Sequence, residues 1–316
     1  MTYQQVKQVC IEKRENKKTE WEFTMKKTDV YEIVKQNLIQ RIEEISNGQT
    51  DGSWQKPWSL QPCRPINWLS SRAYRGVNLF LLNGCGTEFL TMNQIRELQA
   101  SQKYKDVRLR EGSKSHLVIY FKMVEHHNDE SEEEKLIPVL RYYRVFSLDD
   151  LDGLELRRTP SSYEHTPDEA EQALNAALAK YFEKAGIPVR TTKSDGCYYS
   201  PSHHSITIPD AKYFEKFNCH LSSLAHEAVH STGKQMGRTL NCDQSSHDYA
   251  HEELIAELGA AILLAAFGVS NECSEANSAA YLHGWMTRIE ETPARKLVGA
   301  FCAAQKAVDY ILGEEI

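Results

Sequence analysis

The sequence predicts an α+β protein of two domains, and three observations lead to that prediction. The chain has 316 residues, about twice the length that one hydrophobic core usually serves. Its first half mixes helical and β-branched apolar patterns, whereas its second half contains five helical patterns and one short strand pair. Residues 1–158 carry 25 Lys and Arg against 23 Asp and Glu, and residues 159–316 carry 12 against 21. This difference in charge indicates two domains with different tasks.

The N-terminal half begins with a segment that should not fold by itself. Residues 1–28 are charged and lack apolar periodicity, so we expect a flexible tail. A first helix is predicted by apolar residues at three- and four-residue spacing, namely Val30, Val34, Leu38, Ile42 and Ile45. Thr91 should cap a short helix, and residues 116–124 and 136–147 should form two strands of a hairpin. Together these elements predict a small α+β domain over residues 29–153.

The C-terminal half follows a predicted linker. Residues 154–167 are rich in Arg, Pro, Ser and Thr, which is typical of an inter-domain connection. The second domain, residues 168–316, should open with an amphipathic helix that has acidic residues in its first turn. Two strands and four further helices are expected at residues 197–200, 205–209, 219–232, 249–267, 277–290 and 293–313.

Composition excludes several classes of protein. No run of about 18 apolar residues exists, and the polar N-terminus has no apolar core of a secretory signal. Eight cysteines are scattered along the chain without a CxxC pair, which argues against disulfides and against a cysteine zinc site. We therefore expect a protein of the cytoplasm that does not contact membranes.

The segment SSLAHEAVHSTG predicts a metal site. His226 and His230 are four residues apart, so on a helix they are offset by about 40° and share one face. Glu227 lies beside them and is the candidate catalytic base, because it can accept a proton from a water whose pKa an ion lowers. A third ligand is expected from HEELIAELGAAILL, where Glu253 and Glu257 share a helix face.

We assign Glu253 as the third metal ligand and Glu257 as the acceptor that holds a ligand histidine by its other ring nitrogen. The two glutamates could exchange these roles, and His251 is a competing ligand. Zinc is the expected ion, with manganese or another divalent metal as alternatives. The site could also be purely structural, in which case Glu227 would have no task.

A second polar cluster precedes the histidine helix on the predicted strand pair. Its members are Tyr198, Tyr199, His203 and His204. In zinc peptidases such a strand can hold the substrate backbone, and a Tyr or His can stabilise an oxyanion. Ordinary turn histidines and strand tyrosines are the alternative.

Aromatic and basic residues alternate in the N-terminal half, a mixture expected where bases stack on rings and cations contact phosphates. The candidate DNA-binding residues are Trp54, Lys56, Trp58, Arg72, Tyr74, Arg75 and Lys114. Core aromatics beside solvated arginines would produce the same pattern. No helix-turn-helix or RNP motif is evident.

Blocks of sequence along nearly the whole chain resemble ArdC-type antirestriction proteins. They include WQKPW, INWLSSRAYRGVN, FLTMNQI, VRLREGSKSHLVIYFK, YYSPSHHSITIP, LAHEAVHSTG, YAHEELIAELGAAIL and AQKAVDYIL. The resemblance implies an N-terminal domain that binds single-stranded DNA and a zincin-like C-terminal metallopeptidase domain. It also implies a protein of a mobile element that protects incoming DNA from host restriction, with a restriction enzyme or another protein as substrate. The alternative is a DNA-binding module of conjugation or priming, with a structural metal.

Overall fold

A computed structural model describes residues 29–48, 64–127, 134–157, 167–193, 196–240, 246–269 and 289–314. Strands are concentrated in the N-terminal half and helices in the C-terminal half, so the predicted α+β class is confirmed. The predicted tail at residues 1–28 lies outside the described residues, as does most of the predicted linker. The described ranges contain no helix with the length and apolar character needed to cross a bilayer.

Three helices of the N-terminal half are described, namely α1 (Val30–Gly48), α2 (Val77–Leu81) and α3 (Met92–Ala100). The predicted apolar stripe of α1 faces the core, since Val34, Leu38 and Ile42 are nearly inaccessible to solvent. Helix α3 starts as expected from its sequence. The hydroxyl of Thr91 accepts from the backbone N–H of Gln94, whose side chain accepts in return from the backbone N–H of Thr91.

The N-terminal strands form two sheets. They are β1 (Ile66–Asn67), β2 (Glu88–Thr91), β3 (Arg108–Leu109), β4 (His116–His127), β5 (Glu134–Ser147) and β6 (Leu151–Asp152). The larger sheet has the order β1-β2-β5-β4, and β3 pairs with β6. The predicted hairpin is the antiparallel pair β4–β5, whose register runs from His116 opposite Val145 to His127 opposite Glu134.

The C-terminal half supports a short sheet on a group of helices. Its elements are α4 (Pro167–Ala185), β7 (Val189–Thr192), β8 (Tyr198–Ser200), β9 (Ser205–Pro209), α5 (Phe217–Ser231), α6 (His247–Phe267) and α7 (Ala294–Leu312). The sheet has the order β7-β9-β8, and β8 is an edge strand antiparallel to β9. The helix predicted at residues 277–290 falls almost entirely outside the described residues.

The two halves of the chain pack against each other through α7. The rings of Phe80 on α2 and Phe301 on α7 lie edge to face with centroids 4.9 Å apart, and both are buried. The Gln305 side chain accepts a 2.8 Å hydrogen bond from the backbone N–H of Gly76. One cluster of buried apolar side chains therefore runs from α1 and α2 into the C-terminal helices. The predicted boundary at residues 154–167 stays a prediction.

Helices α5 and α6 approach closely at one glycine. A Cβ atom at Gly259 of α6 would lie 2.6 Å from Cγ2 and 3.0 Å from Cγ1 of Val229 on α5. Such distances are shorter than van der Waals contact, so a side chain at this position would push the helices apart. Gly259 therefore sets the distance between the two helices that carry the predicted metal ligands.

We expect Gly259→Ala to destabilise the protein by about 1–3 kcal/mol, because the added methyl group overpacks the contact between α5 and α6. Gly299→Ala on α7 is the matched control, since a Cβ there meets no atom within 4 Å. The control should be neutral or stabilising by up to about 1 kcal/mol through helix propensity. Urea unfolding of both variants measures the difference, and equal stabilities would contradict the contact.

Candidate metal centre

The two predicted histidines lie at the C-terminal end of α5 and point their ring nitrogens at the same place. Nε2 of His226 is 3.0 Å from Nε2 of His230. The opposite side of this helix is buried against the core, where Leu221 and Ala228 are inaccessible to solvent. Burial of that side fixes the rotation of α5 and directs both imidazoles toward α6.

Glu253 on α6 completes a group of three. Its Oε2 lies 3.4 Å from Nε2 of His226, and its Oε1 lies 3.5 Å from Nε2 of His230. Ligand atoms about 2.0–2.1 Å from a tetrahedral zinc ion are about 3.3 Å apart, close to all three separations. Within the part of the chain that is described, these residues form the one group with geometry suited to a metal ion. Two imidazoles and a carboxylate fit a divalent metal.

Glu257 is placed differently. Its Oε1 lies 3.9 Å from Nδ1 of His226, the ring nitrogen that faces away from the other two donors. This position suits an acceptor that orients the ring, and it favours Glu253 as the metal ligand. His251, the competing ligand of the sequence analysis, is not in the group of three.

A supporting residue that the sequence analysis missed is Glu252. Its Oε1 lies 3.1 Å from Nδ1 of His230, so each histidine has a carboxylate at its outer nitrogen. Only 6 % of Glu252 is exposed. The sequence could have indicated this residue. Two ligand histidines need two hydrogen-bond acceptors at their outer ring nitrogens, and only Glu257 had been assigned to that role.

Arg238 compensates the charge of Glu252. Its Nε lies 3.1 Å from Oε2 of Glu252, an ion pair that does not have the geometry of a hydrogen bond. Its Nη2 donates a 2.6 Å hydrogen bond to the carbonyl of Val229 at the end of α5. Burial lowers the pKa of Arg238, and the contact with Glu252 opposes that effect. The arginine thus joins the end of α5 to the carboxylate that orients His230.

The remaining electrostatics favour positive charge at this site. Burial lowers the pKa of His230, but hydrogen bonds to Glu252 and Glu253 outweigh it and bring the pKa to about 9. Burial likewise raises the pKa of Glu253, yet hydrogen bonds to both histidines lower it well below its ordinary range. The carboxylates around the imidazoles therefore create a field that attracts a cation.

Glu227 lies in the same pocket as the three candidate ligands. The pocket has a volume of about 230 Å³ and is also lined by Tyr198, Tyr199, Tyr249 and Cys197. Oε2 of Glu227 accepts a 2.6 Å hydrogen bond from the backbone N–H of Tyr199 on β8, which fixes the carboxylate beside the histidines. Burial, followed by the charge of Glu227, raises the pKa of the Cys197 thiol. Cys197 is not a member of the group of three candidate ligands.

The second polar cluster is split by the fold. The Tyr199 hydroxyl and Nδ1 of His204 are 2.7 Å apart, and Nε2 of His204 lies 3.3 Å from the carbonyl of Ala185. Both side chains are thus held in structural contacts. His203 is exposed and lies 3.0 Å from the Ser200 hydroxyl. Tyr198, which is 53 % exposed, remains at the pocket as a candidate substrate contact.

The predicted DNA-binding residues are dispersed. Trp54, Lys56 and Trp58 lie outside the described residues, while Arg72 and Lys114 are exposed. The structure corrects the role expected for Tyr74, because its ring is 6 % exposed and packs edge to face on a buried phenylalanine. A buried ring cannot stack on a base. Arg75 forms an ion pair with Asp309 on α7, so it serves the contact between the two halves.

Comparison with known proteins agrees with this architecture. A family model described as "Zincin-like metallopeptidase" matches residues 176–304. A second, described as "N-terminal domain of anti-restriction factor ArdC", matches residues 28–146. The chain is thus a two-domain protein with a zincin-like metallopeptidase domain, a fold that implies a divalent metal. Its N-terminal domain is of the ArdC type, so the combination is that of ArdC antirestriction proteins.

Solved structures and sequence relatives extend the likeness to nearly the whole chain. Crystal structures of the antirestriction protein ArdC from plasmid R388 match in metal-free and Mn(II)-bound form. Their TM-scores are 0.61 and 0.63 and their identities 29 % and 27 %, with 90 % of this chain and 96 % and 97 % of theirs covered.

Protein y4eC of Sinorhizobium fredii is 29 % identical, covering 91 % of this chain and 93 % of its own length. Two DNA primases TraC of Escherichia coli are 25 % and 26 % identical over 92 % and 87 % of this chain, which spans only 20 % and 26 % of their length.

We expect His226→Ala, His230→Ala and Glu253→Ala each to abolish stoichiometric metal binding, since each removes one of three protein ligands. Glu252→Ala and Glu257→Ala should retain the metal but weaken its binding by roughly 10–100-fold, because they remove only the support of a ligand ring. Elemental analysis and competition with a chelating dye measure both effects. Undiminished metal in Glu253→Ala, with loss in Glu257→Ala, would reverse the assignment.

Proposed function

We propose that this protein is a metal-dependent antirestriction factor of a mobile element. In this proposal, its C-terminal domain hydrolyses peptide bonds, its N-terminal domain binds single-stranded DNA, and both act in the cytoplasm on DNA that has just entered the host. The observation that carries the peptidase assignment is the position of Glu227 in one pocket with His226, His230 and Glu253. A structural metal site would not require an additional carboxylate at that position.

The donor set supports zinc as the bound ion. His226, His230 and Glu253 would hold it, and two imidazoles with one carboxylate are the ligands of many catalytic zinc sites. Manganese prefers sites with more oxygen ligands, although the related Mn(II)-bound ArdC structure keeps it as an alternative. When bound, the ion would polarise the scissile carbonyl and lower the pKa of the attacking water.

The protein's own residues account for the remaining chemistry. Glu227 is oriented by the backbone N–H of Tyr199, so its carboxylate can accept the proton of the attacking water and pass it to the leaving amine. Glu252 is within hydrogen-bond distance of the outer nitrogen of His230, and Glu257 lies 3.9 Å from the outer nitrogen of His226, where each would orient its imidazole. The edge strand β8 lies at the pocket, where an extended peptide of the substrate can pair with it. A host restriction enzyme, or another protein, is the proposed substrate.

Single-stranded DNA binding rests on the N-terminal domain. This domain is of the ArdC type, and two relatives that match most of the chain are DNA primases. Exposed cations such as Arg72 and Lys114 support contact with phosphates. The alternative of a purely DNA-binding protein with a structural metal leaves Glu227 only its hydrogen bond with the backbone N–H of Tyr199.

We expect Glu227→Gln to abolish peptide hydrolysis while it preserves metal binding, because glutamine keeps the shape but cannot accept the proton. The rate should fall at least ~100-fold. Metal content by elemental analysis is the control for an intact site, and transfer of unmodified DNA into a restricting host is the biological readout. Full protection of the DNA by this variant would show that protection does not depend on hydrolysis.

We expect the full-length protein to bind an oligonucleotide with an affinity that falls as salt rises, with a slope of about -0.7 per phosphate contact. The full chain is required, since a fragment ending at residue 158 would expose core residues that pack on α7. Arg72→Ala should flatten the salt slope. Arg75→Ala is the matched control: it removes the ion pair with Asp309 and should mainly lower stability. Fluorescence anisotropy measures the slope, and an equal preference for duplex DNA would contradict the proposal.

A further inference from the structure

The outer part of the β4–β5 hairpin is a two-stranded ribbon that extends beyond the rest of the sheet. Strand β2 pairs only with residues 145–147 of β5, whereas β4 pairs with β5 as far as His127 opposite Glu134. Residues that lie opposite each other in an antiparallel pair point to the same face, and successive residues point to opposite faces. The register therefore assigns each exposed side chain of the ribbon to one of two faces.

One face carries Tyr120, Lys122, Arg141 and Tyr143, and we refer to these four residues as the ribbon face. Tyr120 lies directly opposite Arg141 in the register. Its ring contacts that of Tyr143 with centroids 5.7 Å apart at 64°. Tyr120 is 45 % exposed, a large fraction for an aromatic side chain.

The charge of the ribbon face is entirely positive. The residues of β4 and β5 that share this face between 116–122 and 139–145 include no Asp or Glu. Lys122 and Arg141 are exposed, and neither makes an ion pair or a hydrogen bond with another described residue. The whole chain has a net charge of -7, so this concentration of positive charge is local. Rings flanked by exposed cations complement a polyanion with accessible bases.

We infer that the ribbon face is the platform on which single-stranded DNA lies, an inference that rests on the DNA binding proposed above. Tyr120 would stack on a base, while Lys122 and Arg141 would contact phosphates on either side. Duplex DNA does not fit this chemistry, because its bases are stacked inside the helix and offer no free face to the ring. The inference moves the stacking site away from the buried Tyr74.

The opposite face of the same ribbon supplies matched controls. It exposes Tyr142, whose exposed fraction of 43 % is nearly that of Tyr120. Its cation, Arg144, lies 3.3 Å from the Ser115 hydroxyl, and the nearby basic pocket of about 420 Å³ also contains a carboxylate, Glu44, paired with Arg41. Arg144 and Arg41 are thus engaged by the protein itself, which favours the ribbon face for the stacked bases, while Lys114, which lines the same pocket, remains a proposed phosphate contact.

The test compares Tyr120→Ala with Tyr142→Ala in the full-length protein, using anisotropy of a fluorescent oligothymidine. Tyr120→Ala should weaken binding by about 5- to 150-fold, whereas Tyr142→Ala should leave it within about twofold. Tyr120→Phe should keep the wild-type affinity because it keeps the ring. Lys122→Ala and Arg141→Ala should each reduce the salt slope by about 0.7, and Arg144→Ala should leave it unchanged.

The outcomes separate this inference from the function on which it rests. A wild-type protein that does not bind the oligonucleotide at low salt would overturn both. If the wild-type protein binds the oligonucleotide and the two tyrosine variants lose affinity equally, the ribbon face is overturned as the platform, while the proposed DNA binding stands. A loss confined to Tyr142→Ala and Arg144→Ala would place the strand on the opposite face, beside the basic pocket. Circular dichroism of each variant confirms that exposed substitutions leave the fold intact.

Discussion

The close contact between α5 and α6 is the constraint on which the candidate site depends. Two histidines on one helix provide only two donors, and the third must arrive from another helix at a separation of about 3.3 Å. Gly259 permits that approach, since a side chain there would collide with Val229. Gly259 lies almost two turns beyond Glu253 on the same helix. A change in the distance between α5 and α6 at Gly259 would therefore also displace the carboxylate of Glu253.

Charge balance around the histidines explains why the supporting residues are buried and numerous. Glu227, Glu252, Glu253 and Glu257 surround two imidazoles, and uncompensated carboxylates in a buried site are costly. Arg238 pairs with Glu252, which leaves the other carboxylates to be balanced by a cation and by protons. In the proposed mechanism Glu227, the proposed proton acceptor, shares one pocket with the three residues that would hold the ion, so metal binding and proton transfer would depend on the same arrangement of charges.

Local patterns in the sequence predicted the parts of the fold and site that depend on local geometry. The helix of His226 and His230, the capped helix after Thr91 and the β4–β5 hairpin were predicted because their periods and caps are set within a few residues. The role of Arg238 was not predicted, since its contact with Glu252 depends on how a loop returns to the helix. Tyr74 was misjudged for a related reason: alternation of rings and cations does not reveal which rings are buried. The exposed rings of β4 and β5 became recognisable only once the register assigned their faces.

The shared core has a consequence for how the proposed DNA binding and the candidate metal centre could communicate. Helix α7 packs on α2 through Phe301 and on α6, whose first turns carry the candidate ligand Glu253. The N-terminal domain therefore shares a core with the C-terminal helices, and a displacement of α1 or α2 would act on α7. Coupling between the proposed DNA binding and the candidate metal centre would then require contacts of DNA that differ between two positions of α7.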